Sequence, residues 1–172
     1  FAVLYRTNSQ SRALEEAFRK RNLPYMIYSG NSFFERAEVK DMMAYFKLVV
    51  NVNDDESFKR IVNKPARGIG DTSLSALTAA ASNHHVSLFK AAYSDDLENF
   101  GLKPAAIKKI REFCDMIARL CLRSNKEDAY TVAAAVAMES GLLMFYKSDT
   151  SIEGQSRTAN VEELLNSVKL FI

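Results

Sequence analysis

The chain has 172 residues, enough for one full domain or one domain with a piece of a second. Hydrophobic residues make up 48% and charged residues 26%, which excludes a disordered chain and supplies a core. With 23 Lys and Arg against 21 Asp and Glu, and a net charge of +2, overall charge neither demands nor excludes an anionic partner, so local clustering must decide.

The first apolar run, Phe1 to Tyr5, suits a buried strand, and Arg6-Thr7-Asn8-Ser9 after it supplies turn and cap chemistry. Residues 10–22 have helical periodicity, with Leu14, Ala17 and Phe18 on the inner face and Arg12, Glu15, Glu16, Arg19 and Lys20 outside. Leu23-Pro24 stops that helix, and Tyr25 to Tyr28 is a second strand candidate ending at Ser29-Gly30. Residues 1–30 therefore read as a β-α-β unit that needs a larger sheet to fold. The chain begins at Phe1 inside a strand pattern and stops at Ile172 inside a helical one, as a piece of a longer protein would.

From about residue 35 the pattern is helical throughout. The spacing predicts helices over residues 37–51, 54–63, 72–83, 87–93, 104–124, 128–147 and 158–172, and the shift near residue 31 is a candidate domain boundary. Asn53-Asp54-Asp55 and Asp71-Thr72 offer caps, Pro104 sits in a first turn, Gly141 interrupts the long helix near its end, and residues 149–156 read as an exposed loop. Cys114 and Cys121 share one helical face about two turns, roughly 10 Å, apart, too far for a disulfide and in keeping with a reducing compartment. No signal-peptide pattern and no apolar stretch of about 18 residues is present, so a cytoplasmic location and no membrane partner are expected.

The stretch from Ser32 to Leu77 carries the most chemistry. Two apolar-periodic helices, the Pro65 turn with Arg67-Gly68-Ile69-Gly70, and a third helix opening at Asp71 or Thr72 make a helix-hairpin-helix pattern. Glycine lets the backbone approach a ligand, Ile69 can plug the helices together, and the helix N-terminus presents free N–H groups and its positive dipole end to a phosphate. Lys59, Arg60, Lys64 and Arg67 add cations against Asp71 alone. The same spacing also suits a tight interhelical turn with solvated charges, because a lone G-x-G element is weak.

A second glycine turn, Gly101-Leu102-Lys103-Pro104, enters a helix bearing Lys103, Lys108, Lys109, Arg111, Arg119 and Arg123 against Glu112 and Asp115. It reads as a solvated outer face over Ile107, Ile110, Cys114, Ile117 and Leu120 or Cys121. Phe33-Phe34 reads as packing at a domain junction. His84-His85 lacks the neighbours of a metal site, and no catalytic constellation, cofactor site or ATP-type phosphate loop is recognisable.

Taken in order, Val3-Leu4-Tyr5-Arg6-Thr7-Asn8-Ser9-Gln10-Ser11-Arg12, Pro24 to Gly30, Phe33-Phe34-Glu35-Arg36-Ala37-Glu38-Val39-Lys40-Asp41, Asn53-Asp54-Asp55, Arg60 to Asn63, Pro65 and Arg67-Gly68-Ile69-Gly70 resemble UvrD/PcrA/Rep-type superfamily one DNA helicases. Ser29 and Ser73 stand where that family more often has Gly and Thr. The resemblance implies a mostly α chain. Residues 1–36 would be the N-terminal part of the second RecA-like domain, a β-α-β remnant with the motif IV region. Residues 37–172 would form the helical accessory 2B-like domain with its helix-hairpin-helix. It further implies a parent that is an ATP-dependent DNA helicase of repair and replication restart, with ATP and Mg bound outside this piece.

The resemblance implies DNA contact roles for Arg6 and Asn8 on the single-strand track and for Arg67, Gly68, Ile69 and Gly70, with Asp71 and Thr72 less directly, at the duplex or fork junction, where Lys64 joins them as a phosphate contact by its place in the hairpin. The remaining helicase domains and repair proteins are implied partners. Two alternatives remain open at this stage: a protein-interaction or autoinhibitory module without DNA affinity of its own, and part of an AddA/RecB-type helicase-nuclease.

Overall fold

The computed structural model describes residues 2–5, 8–27 and 33–169, and among them every regular element is a helix. Helix α1 is Asn8–Lys20, α2 is Ala37–Val50, α3 is Asp55–Ile61, α4 is Asp71–His84 and α5 is Leu88–Ala91. They are followed by α6 at Pro104–Ser124, α7 at Ala129–Glu139, α8 at Leu142–Lys147 and α9 at Ile152–Lys169. Single 3-10 turns, Phe33–Glu35 and Leu97–Phe100, precede α2 and α6.

Helix α2 lies at the centre and packs against α3, α6, α7 and α9. The three- and four-residue spacing of its apolar side chains explains this, since Met42, Tyr45, Leu48 and Val49 all point inward and are buried. Helix α6 answers with Ile110, Phe113, Ile117 and Leu120. Phe113 meets Phe58 of α3 edge-on at 5.4 Å and Tyr45 of α2 at 6.4 Å, contacts worth about 0.5–1.5 kcal/mol each beyond the area they bury. Helix α4 stands to one side, packed on α5 and the 97–100 turn.

Sequence signals set several of the ends. Asp54 accepts from the Ser57 amide at 3.0 Å to start α3, and Asp128 accepts from the Thr131 amide at 2.9 Å to start α7. Gly141 has φ +78, the left-handed turn that ends α7 and restarts the chain as α8, so the interruption expected there is present. Cys114 and Cys121 are both free, and burial pushes the Cys114 thiol up to about 12.

Three expectations need correction. Among the described residues neither 2–5 nor 23–27 is a strand, so the β-α-β unit is not formed there. A strand is fixed by hydrogen bonds to a neighbouring strand, and among the described residues none pairs with these segments. The far ends of both candidates, Phe1 and Tyr28, and the Ser29-Gly30 turn lie outside the described residues.

The faces of α1 are also reassigned: Arg12 and Glu15 are buried, while Leu14, Ala17 and Phe18 are half-buried. What buries the charges is a polar seam to α9. Arg12 Nε donates to Glu163 at 2.7 Å, Arg36 donates to Asn160 at 2.8 Å, and Asn160 donates to Glu38 at 2.6 Å. Glu15 accepts from the Phe33 amide at 2.9 Å, so this charge is compensated where it is buried. Burial lowers the pKa of Arg36 from its ordinary value, with Glu38 and Glu15 opposing that shift.

With the break at Gly141, residues 128–147 hold the two helices α7 and α8. The last helix starts at Ile152 rather than near 158, because Ser151 accepts from the Gly154 amide at 3.0 Å and caps it within the predicted loop. Glycine at 154 is tolerated inside this helix because its buried backbone lies against Asp149.

Candidate nucleic-acid interface

Residues 62–70 connect α3 to α4 across the surface, and the Lys64-Pro65 peptide within them is cis. Ile69 is 2% exposed and anchors this loop in the core, as its apolar side chain requires. The Asn63 side chain shapes the bend, its Oδ1 accepting from the Arg67 amide at 2.7 Å and from the Ile69 amide at 3.2 Å. Gly68 sits at φ +70, a conformation that glycine alone adopts without cost.

Arg67 faces inward. Its Nη2 donates to the Ser140 carbonyl at 2.8 Å and to the Tyr45 hydroxyl at 2.7 Å, and Nη1 reaches the Ile61, Val62 and Pro65 carbonyls at 3.2–3.3 Å. The C-terminal carbonyls of α3 and of α7 thus converge on one guanidinium, whose charge complements the negative ends of both helix dipoles. Tyr45 in turn donates to the Lys64 carbonyl at 2.7 Å, and burial pushes its phenol up to about 12. In this structure the Arg67 side chain holds the loop to α7.

The cations beside it are also occupied. Asp41 of α2 is 1% exposed in its side chain, and it receives Lys64 Nζ at 2.8 Å, Arg60 Nη2 at 2.8 Å and the Tyr146 hydroxyl at 2.9 Å. Burial raises the Tyr146 phenol well above its usual value, with the Asp41 charge and hydrogen bond acting in the same direction. Lys59 pairs with Glu56 at 3.7 Å. Lys64 keeps a partly exposed side chain, but its charge faces a buried acid.

What remains open is the start of α4. The cap position is Gly70, one residue earlier than Asp71, and among the described residues no side-chain hydrogen bond caps the helix there. Gly70 has an ordinary φ of −83, and an added Cβ would meet nothing within 4 Å. The fold itself thus gives no reason for glycine here, where Ser, Thr, Asp or Asn would cap the helix better. Gly70, Asp71 and Thr72 are all exposed at the start of α4, the positive end of the helix dipole.

Of the other sequence-predicted residues, Arg6 lies outside the described residues, as does the side chain of Asn8, which opens α1. Gly68, Ile69, Gly70, Asp71 and Thr72 are brought together, whereas Lys64 and Arg67 are turned to structural partners. Sequence reading missed Asn63 and Asp41, whose roles as acceptors depend on folding.

This geometry of a glycine bend feeding an uncapped helix is accompanied by a match of residues 1–171 to the family model of the UvrD-like helicase C-terminal domain. The chain belongs to that family. It is 36% identical over 170 residues to DNA helicase II of Escherichia coli (strain K12), covering 99% of this chain and 24% of that protein. It is 38% identical over 171 residues to ATP-dependent DNA helicase PcrA of Leuconostoc citreum, covering 99% of this chain and 23% of that protein. DNA helicase II of Haemophilus influenzae (strain ATCC 51907 / DSM 11121 / KW20 / Rd) is likewise 38% identical over 171 residues, with the same coverage. The chain thus spans about a quarter of the length of these UvrD-like relatives. No helix among its described residues is long and apolar enough to cross a membrane.

Proposed function

We propose that this chain is the duplex-binding accessory part of an ATP-dependent DNA helicase, with residues 37–172 as a 2B-type domain and 1–36 as the start of a RecA-like domain. The observation that carries the reading is Gly70, a helix cap in open space whose missing side chain leaves the α4 amides free for a phosphate. Gly68 and Thr72 flank it, Ile69 fixes the bend to the core, and Arg67 with Asn63 holds its shape. Arg6 and Asn8 keep a proposed single-strand role on the family likeness alone.

Amides and a helix dipole hold phosphate oxygens without reading base edges, so the contact orients the duplex and carries no sequence preference. None of the six glycines is followed by Lys, so this chain carries no ATP-type phosphate loop of its own. The power stroke belongs to other domains of a longer protein, and a role in repair or replication restart follows from that parent.

A regulatory, protein-binding reading draws on exposed Met138 and Met144, 71% and 72% accessible. Titration of fluorescein-labelled 20-base-pair duplexes of two unrelated sequences separates the two. Duplex binding predicts equal affinity for both sequences and a steep loss between 50 and 200 mM salt; absence of binding at low salt favours the regulatory reading.

A further inference from the structure

The hairpin's own cations are consumed by Asp41, Glu56 and backbone carbonyls, and a different helix supplies a replacement. An ideal Cβ built on Gly68 would lie 2.5 Å from the Lys109 ammonium nitrogen and 3.6 Å from its Cε. The side chain of Lys109 therefore crosses from α6 and places its charge in the space that a side chain at position 68 would occupy. Lys109 is exposed, and no acid among the described residues pairs with it. Its neighbour Lys108 instead approaches Glu112 at 4.0 Å.

Resting on the proposed duplex role of the α4 start, we infer that Lys109 is a DNA-phosphate contact of this interface. Gly68 and Gly70 are two residues apart, at most about 7 Å along an extended chain, so the ammonium and the free amides can serve one phosphate or two adjacent ones. Lysine suits this place as a mobile point charge, since the fixed donors are already provided by the backbone. Glycine at 68 then does two things: it permits φ +70 and leaves the space that the ammonium fills.

The test is the salt dependence of duplex binding by the 172-residue chain, using a fluorescein-labelled 20-base-pair duplex between 50 and 200 mM NaCl. The variants are Lys109→Gln, Lys108→Gln and Gly70→Asp. Loss of one phosphate contact lowers the slope of log K against log salt by about 0.9, and weakens binding severalfold at 50 mM salt. Lys109→Gln shows both changes and Lys108→Gln shows neither. If Lys109→Gln keeps the wild-type slope while Gly70→Asp loses binding, Lys109 is no contact and the hairpin reading stands. Equal slope losses in both lysine variants mean diffuse attraction and overturn the assignment to Lys109. If the wild type does not bind, both proposals fall together.

Discussion

Replacing Arg67 by Ala separates a side chain that holds the loop from one that reaches for a ligand. Truncation removes two short charge-assisted bonds, to Ser140 and Tyr45 at 2.8 and 2.7 Å, and three longer ones to carbonyls near the end of α3 and in the loop. Hydrogen bonds to charged groups contribute about 1.5–3 kcal/mol each. The three longer bonds share one amino group, and Tyr45 keeps its bond to Lys64, so the parts do not add. A loss of roughly 3 kcal/mol follows, and for a chain of this size it lowers Tm by roughly 6–12 °C. Arg67→Lys recovers only a small part, because a single ammonium cannot reach both helix ends. Thermal melts followed by circular dichroism give the answer. A Tm for Arg67→Ala within about 1 °C of the wild type, accompanied by loss of duplex affinity, would falsify the assignment and return the guanidinium to the DNA.

Two further outcomes concern the frame around the hairpin. Gly141→Ala forces an L-residue to φ +78 while its Cβ meets Pro65 at an ordinary 3.6 Å, so the cost is conformational, about 1 kcal/mol; urea unfolding should show a lower midpoint at unchanged m. The Asp54 carboxyl is held below its usual value first by the Ser57 amide and then by the Ser57 hydroxyl. A depressed folded pKa contributes stability above the unfolded value near pH 4 and loses it as pH falls through the folded one, so Asp54→Asn should flatten the acid limb of a stability-against-pH curve. An unchanged limb would place the acid sensitivity elsewhere.

The helical body was legible because its inward positions repeat at three and four residues. In α6 this marked Ile107, Ile110, Cys114 and Ile117 correctly, and the structure chose Leu120 over half-buried Cys121. A cap within Asn53-Asp54-Asp55 and the break at Gly141 were legible because each is a local backbone requirement, and the structure uses Asp54. Periodicity failed on α1, where the buried Arg12 and the neighbouring Arg36 find partners on α9, Asn160 lying 124 positions from Arg36. Nothing in the local pattern announces an acceptor so distant.

For the candidate site, the sequence marked the glycine bend and the helix start. It could not tell which cations were spent. Lys64 and Arg60 turn to Asp41, and Arg67 turns to two helix ends, through contacts made only in the folded chain. The sequence places Lys109 on a solvated outer face because its approach to Gly68 crosses between elements. The glycines also differ in a way that spacing does not reveal: position 68 needs glycine for its backbone, and position 70 does not.

Gly70→Asp puts the central claim to its most direct test, because folding and binding should respond in opposite directions. The open space at this position accepts the carboxylate, which caps α4 and stabilises the protein by a few tenths of a kcal/mol, raising Tm by about 1 °C. The same carboxylate occupies the first-turn amides and repels phosphate. Losing even one charge-assisted bond of about 1.5 kcal/mol weakens duplex binding roughly tenfold. Duplex affinity and Tm measured on the one variant decide the matter: a folded, slightly more stable protein that has lost its duplex supports the account, and one that binds as tightly as the wild type contradicts it.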